Sequence, residues 1–391
     1  MSTPLPFRWS DGTFRETRAF LTDVVPSWSL QEQRRQHRTR ARRTYQYTIV
    51  CTSPRHAARV DQLLAAGSLE SVGCPAWPYS TRLTSDAASG QAILACPTGS
   101  RPFDAGQEVL IVRTPDEYEQ RTIDAVGGSS ITCGENLVGD WPAGTLVIPV
   151  HSGRLVDGLT IARPSARVSR IQLTLALDPL AVPESIGQPD DTPPDFAPIP
   201  DRGIEDTLTR PVILVDPAVA GAAHRTARRD EGRATQAYPL LLLGLDQVAT
   251  VWDWYDAVLG ALTPSWVPSW QADLVPAADV GPADTALVIE ACDYTARSFP
   301  LAARRRLALL ASTGGSVVAR TVTNAVDNLD GTETLTLNAA AGVTLTPRHG
   351  LVSFRRLMVL EDDPVTLDWL TAGRARAALA FREEPYAVAA P

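Results

Sequence analysis

Side chains able to do acid–base, nucleophilic or metal chemistry are few in this chain and scattered along it. The five histidines stand at positions 37, 56, 151, 224 and 349, and the five cysteines at 51, 74, 96, 133 and 292. A nucleophilic site needs Ser, Cys or Thr beside an oriented base, and none of these histidines accompanies a Gly-x-Ser-x-Gly elbow. The cysteines form no Cys-x-x-Cys pair and have no histidine at zinc spacing, so a structural metal is not expected. They read as reduced, mostly buried thiols of a protein assembled in a cytoplasm. All 36 basic residues are arginine, which excludes a phosphate loop built on lysine, and no dinucleotide fingerprint opens a helix. The pairs Asp362-Asp363 and Glu383-Glu384 are adjacent in sequence, and on a strand such neighbours point to opposite faces. The loop Asp327-Asn328-Leu329-Asp330-Gly331 lacks the closing acid of an EF-type calcium loop and reads as a hairpin turn. The expectation is therefore no catalytic, cofactor-binding or metal-binding residue, no cofactor, and no enzyme.

What organises the chain is a repeat. Tyr45, Pro75 and Trp77 recur 193 positions later as Tyr238, Pro268 and Trp270. Cys96, Arg101 and Phe103 recur at a spacing of 196 as Cys292, Arg297 and Phe299, with Ala92-Ile93-Leu94 set against Leu287-Val288-Ile289. Arg121-Thr122 returns as Arg320-Thr321, and Gly144, Pro149 and His151 return at a spacing of 198 as Gly342, Pro347 and His349. A last match, at 206, sets Leu159-Thr160-Ile161 against Val365-Thr366-Leu367 and Arg170 against Arg376. The order is kept while the spacing drifts, as when loops lengthen between fixed strands. Two equivalent histidines point to a shared structural place at a strand end.

The elements follow from local pattern. Ser53-Pro54 is a helix start, with the helix running to about Ala66. In the second copy Asp246 is read as the cap, and Val248, Val251, Trp252, Tyr255, Val258, Leu259 and Leu262 make one apolar helical stripe. Short strands separated by glycine turns come next: 91–95, 108–113, 118–125, 130–133, 145–151, 159–162 and 168–177, then 307–310, 317–322, 332–337 and 343–346. Residues 1–30 read as a strand or two plus an arm, docking on a neighbouring subunit or covering its own domain. The Arg-rich run 34–43 places its basic residues from Arg38 onward mostly on one solvated face. The fold class expected is mainly β: two tandem, internally duplicated β-sandwich or barrel domains, each with one packed α-helix. The first, with the arm, spans 1–182, a Pro/Asp-rich linker spans 183–203, and the second copy spans 204–391.

The totals agree with a folded chain of that size. Of 391 residues 44% are hydrophobic and 20% charged, and the formal charge is −8. There is no global basic footprint, so no specific nucleic-acid binding is expected. No apolar run approaches the length of a membrane span, and the polar N-terminus lacks a signal-peptide core.

The order of Tyr-rich strand, helix and Pro-x-Trp, then Phe103-Asp104-Ala105-Gly106-Gln107-Glu108 and Trp141-Pro142-Ala143-Gly144-Thr145, closes on Val365-Thr366-Leu367 and Arg374 to Phe381. In this it resembles proteins encoded in the tail modules of long-tailed bacteriophages and prophages. The similarity covers most of both copies and rests on patterning. It implies a structural virion component at the distal end of the tail, that is, a distal tail, baseplate or tail-hub protein. Such proteins have mainly β domains, some related to the tail-tube fold, in which a helix packs beside a β-sandwich. They have no catalytic motif, so no functional residue carries over, and the C-terminal cysteine cluster of some hub relatives is absent here. The partners implied are copies of the chain itself, as a trimer with pseudo-sixfold symmetry or a hexamer, with tail-tube and other tail-tip proteins. The location implied is the virion tail, assembled in the host cytoplasm. The alternative reading is a pair of carbohydrate-binding modules, in which Trp141, Trp254 and Trp266 would stack on sugars.

Overall fold

The computed structural model describes residues 2–27, 32–65, 71–156, 160–179, 203–209, 212–215, 224–227, 232–311 and 317–384. The linker expected at 183–203 lies outside the described residues except for Gly203.

A first series of elements runs β1 (Thr3–Pro4), β2 (Trp9–Ala19), β3 (Thr22–Pro26), β4 (Glu32–Gln36), β5 (Arg42–Cys51), α1 (Pro54–Ala65), β6 (Val72–Pro75) and β7 (Thr81–Arg82). It continues through β8 (Ile93–Ala95), β9 (Glu108–Thr114), β10 (Glu117–Val126), β11 (Ser130–Cys133), β12 (Leu146–Leu155), β13 (Thr160–Ser165) and β14 (Val168–Leu177). A second series opens with β15 (Glu205–Thr209), β16 (Val212–Val215), β17 (His224–Ala227), β18 (Arg233–Leu243), α2 (Leu245–Val258) and β19 (Ser265–Pro268). It closes with β20 (Ala286–Glu290), β21 (Arg306–Leu310), β22 (Val318–Asp327), β23 (Thr332–Leu337), β24 (Leu351–Leu360), β25 (Val365–Thr371) and β26 (Arg374–Glu383). The protein is mainly β, in large antiparallel sheets; β1 on β6 is a parallel pair.

Local sequence explains the elements. β5 alternates buried Tyr45, Tyr47, Ile49 and Cys51 with less buried residues, the period of a strand with one covered face. In α2 the residues Val248, Val251, Trp252, Trp254, Tyr255 and Val258 are buried, so the apolar stripe faces the core. Its start differs from expectation: Gly244 occupies the cap position without a side-chain bond, and the Gln247 amide oxygen instead accepts the Leu243 N–H at 2.7 Å. The Asp246 carboxylate is engaged by the Ser100 hydroxyl. The turn 327–331 is a hairpin between β22 and β23, with Leu329 at φ 60° and Gly331 at φ 92°.

The two series pair in the same order. In the first, ladders run β5, β14, β12, β9, β10, β11, β8, with β6 on β12 and β13 on β14. In the second they run β18, β26, β24, β21, β22, β23, β20, with β19 on β24 and β25 on β26. Each series is preceded by one strand paired to its first ladder strand, β2 on β5 and β15 on β18, and by a hairpin, β3–β4 and β16–β17.

The registers sharpen the residue correspondence and overturn part of it. Pro75 and Pro268 do hold matching places, opposite Val150 and Arg355. The next residues along, His151 opposite Cys74 and Arg356 opposite Val267, are therefore counterparts. His349 lies instead in an exposed turn before β24. The strand expected at 343–346 forms only isolated bridges, and the real strand is Leu351–Leu360. Carried through β14 and β26, the ladders set Tyr238 opposite Leu379 in the place that Tyr47, not Tyr45, holds opposite Leu173. Cys96 falls in the place of Ile289, because Leu94 opposite Ile131 corresponds to Leu287 opposite Leu335; Cys292 is exposed, three residues further on. Arg121 and Arg320 match in detail. The Nε atoms donate to Asn136 O (3.2 Å) and Ala340 O (2.6 Å), and each Nη1 donates to the carbonyl of the preceding residue.

Three hydrophobic clusters form the interior. One belongs to the first series, around Leu94, Ile111, Ile131 and Val147, and one to the second, around Leu287, Leu307, Leu335 and Val352. The largest joins both, from Tyr47, Trp77 and Leu173 to Tyr238, Trp252, Leu367 and Phe381.

Candidate functional site: the junction of the two series

The place where the series meet is built by β2. One edge of β2 pairs with β5 and the other with β25, so the N-terminal strand closes a continuous sheet between the first series and the second. Across the β25 side Phe14 faces Trp369, Arg15 faces Asp368, Glu16 faces Leu367, Thr17 faces Thr366 and Arg18 faces Val365. Side chains reinforce the ladder: Arg15 Nε lies 2.9 Å from Asp368 Oδ1, and the Thr17 and Thr366 hydroxyls are 2.9 Å apart. The arm expected in residues 1–30 thus covers its own chain, and does so across both series.

The far end of β2 docks on α2. Arg18 bonds Asp256 at 2.8 Å and lays its guanidinium over the Trp252 ring, 4.2 Å from its centroid. Phe20 packs on Tyr255, whose hydroxyl accepts the Phe20 N–H at 3.3 Å and lies 3.1 Å from the Arg18 carbonyl. Burial raises the Asp256 carboxyl, and the Arg18 charge opposes that rise.

Beneath β2 sits a buried polar cluster. Glu16 is fully buried, accepts the Tyr79 hydroxyl at 2.8 Å, and lies 3.7 Å from both Arg18 and Arg43. Burial and then the Glu16 charge push Tyr79 well up, so it stays a donor. Arg43 Nη2 reaches the Tyr45 hydroxyl at 3.2 Å and His151 Nε2 at 3.4 Å. Burial, with the Arg43 and Arg18 charges, holds His151 well below the ordinary histidine range. A neutral imidazole sealed from water and facing a guanidinium is a packing group; proton exchange with a substrate would need access that it lacks.

A second cluster centres on Glu32, whose side chain is 3% exposed. It meets Arg233 at 2.7 Å and Arg382 at 2.8 Å from the second series, together with Arg34 from its own strand. Arg34 also reaches Glu384 and the Ala261 carbonyl. The Arg-rich run therefore divides. Arg34 and Arg43 are engaged inside the molecule, while Arg35, Arg40 and Arg42 are exposed. Nothing in the sequence alone announced that Glu32 would gather three arginines, because two of them lie some 200 and 350 residues away.

Elsewhere the candidate chemistry stays apart. Four cysteines are buried, and burial pushes Cys96 and Cys133 each up to about 11. Among the described residues no group of three or more His, Cys, Asp or Glu is placed to hold a metal, and no helix is long and apolar enough to cross a membrane. An open cleft of about 480 Å³ lies along the junction between Trp77 and Leu370, lined also by Arg8, Trp9 and Leu146. Trp141, Trp254 and Trp266 are 4%, 7% and 5% exposed, so none offers a ring face to a sugar. The sequence matches no protein-family model, and no curated protein matches it at a significant level.

Proposed function

We propose that the chain is a structural subunit of the distal end of a long bacteriophage tail, forming a ring or hub that joins the tail tube to the tip or baseplate. In this reading the two series are tandem duplicated β units, each a sandwich or barrel with one packed helix, α1 or α2. The observation that carries it is the junction itself. Two series with matching ladders are joined edge to edge by an extended arm, β2 on β25, as neighbouring subunits of a ring would be. Three chains then present six equivalent units, which suits a threefold tip meeting a sixfold tube. The buried ion pairs and neutral His151 fit a scaffold. Burial of Trp141, Trp254 and Trp266 takes away the main support for the sugar-binding alternative. Electron microscopy of the purified chain, alone and with tail tubes, tests the reading. A closed ring of six lobes seated at a tube end is expected, and a monomer that leaves the tubes bare would overturn it.

A further inference from the structure

Among the described residues, two further strands have a ladder partner on one edge alone. Within the described residues β15 pairs only with β18, and β13 only with β14. By the ladders, Glu16, Thr17 and Arg18, opposite Tyr45, Thr44 and Arg43, correspond to Asp206, Thr207 and Leu208, opposite Gln236, Thr235 and Ala234. Likewise Leu367 opposite Ala377 and Asp368 opposite Arg376 correspond to Ile161 opposite Ile171 and Ala162 opposite Arg170. β15 is thus the counterpart of the strand that is inserted at the junction, and β13 the counterpart of the strand that receives it.

The contrast in burial marks what is missing. Trp369 of β25 is buried, whereas Arg163, which holds its place on β13, is exposed; Thr366 and Asp368 are half-buried at the junction, while Thr160 and Ala162 in their places are exposed, and Ile161, in the place of buried Leu367, is half-buried. Leu208 holds the place of Arg18, which lies over α2, yet is itself 65% exposed, and Val212 just beyond it is 48% exposed. On α2 the arm meets Asp256 and Trp252 through Arg18 and Tyr255 through Phe20. Open strand edges and an exposed leucine are the features that invite strand addition. Charge agrees as well: in this register the exposed Glu205 of β15 stands beside the exposed Arg163 of β13, which within its own chain reaches the exposed Asp61 at 3.5 Å. The threonine pair is repeated too: Thr17 and Thr366, in contact at the junction, correspond to Thr207 and Thr160.

We propose that β15 adds antiparallel to β13 of a second copy of this chain, with Thr207 opposite the partner's Thr160. This rests on the assembly reading above and supplies its missing interface. The contact is head-to-tail, since each copy gives β15 and receives on β13, so repetition closes into a ring when the rotation allows it. Leu208 then packs toward α1 of the receiving copy, as Arg18 does on α2 within the chain.

The test is site-directed cross-linking of the full chain. Cys292, the exposed thiol, is first replaced by serine. Thr207→Cys and Thr160→Cys are placed in separate preparations, mixed, and treated with dibromobimane, which bridges only closely spaced thiols. Light scattering gives the mass of the untreated chain, and thermal unfolding shows that both variants are folded. A band at twice the chain mass in the mixture, absent from either variant alone, is the result expected. A larger untreated mass without that band overturns the seam while leaving assembly standing. A single-chain mass with no band overturns both. A band from Thr207→Cys alone replaces the head-to-tail seam with a symmetric one and overturns the proposal.

Discussion

The hydroxyl oxygens of Thr17 and Thr366 lie 2.9 Å apart, on strands at opposite ends of the sequence. Thr17 is in a strand with ladder partners on both edges, Thr44 on one side and Thr366 on the other. Proline there removes a backbone donor from a central strand and its ring crowds the ladder, and leaving the facing carbonyl without its donor costs about 1 to 3 kcal/mol. Thr17→Pro is expected to lower the urea midpoint by that equivalent, and Thr17→Val, which keeps the β-branched shape but loses the hydroxyl contact with Thr366, to cost about 1 kcal/mol. Equilibrium denaturation of the two variants distinguishes a strand held on both edges from a loosely attached arm, for which neither change would register.

Glu32 gives the junction a pH dependence. Burial works against its charge, but the Arg233 hydrogen bond and the Arg233, Arg382 and Arg34 charges outweigh it and hold the carboxyl below its ordinary 4.5. A carboxylate depressed on folding contributes stability in full above its unfolded pKa and loses it as pH falls through the lower folded value. Stability of the native chain should therefore fall on acidification below about pH 4.5, and Glu32→Gln should flatten part of that slope. At neutral pH the same substitution should cost about 3 kcal/mol, because three arginines lose a shared buried partner. Thermal melts across the acid range, compared between the two proteins, check both statements.

Thiol reactivity should separate one cysteine from four. Cys51, Cys74, Cys96 and Cys133 are buried and Cys292 is exposed. Titration of the native chain with a chromogenic disulfide reagent is expected to report one thiol, and five after denaturation. Cys292→Ser should abolish the native signal. Rapid labelling of any thiol in that variant would contradict the burial of the other four.

Truncating Trp141, Trp254 or Trp266 should be read in stability. Trp141 is packed in the first-series core and donates its indole N–H to Glu119 at 2.9 Å, and Trp254 packs on Phe381 with ring centroids 6.0 Å apart. Each Trp→Ala change is expected to cost about 3 to 5 kcal/mol. A glycan array probed with the native chain should show no retention that these variants lose. Sugar binding abolished by one such change, with the unfolding midpoint unmoved, would reverse this assignment.

Much of the fold was legible because strand periodicity and glycine turns are local signals. Strands β11, β14 and β23 begin and end where the pattern put them, and both helices were found. β24 was missed because Arg355 and Arg356 interrupt its apolar run; Arg355 is 3% exposed and donates to the Trp266 carbonyl, while Arg356 pairs with Asp206 at 2.7 Å. Charged residues inside a sheet look like turn residues until their partners are known, and here the partners are remote. The same error shifted His151 onto His349. Tyr45 and Tyr47, two apart on one face of β5, both fit a sequence match to Tyr238, and only the ladder chooses between them. The junction was the least legible part, since no local pattern tells which second edge a strand will find.

The insertion of β2 between β5 and β25 also sets an order of events. Thr17 and Thr366 are 349 residues apart, so a strand made among the first must hold one edge open until one made near the last has left the ribosome. Loop-closure entropy makes such remote pairings slow, and an unpaired edge is a template for wrong neighbours in the meantime. The central sheet is therefore a late checkpoint of biosynthesis: a nascent chain stalled before β25 has every element of its first series and cannot yet close the seam.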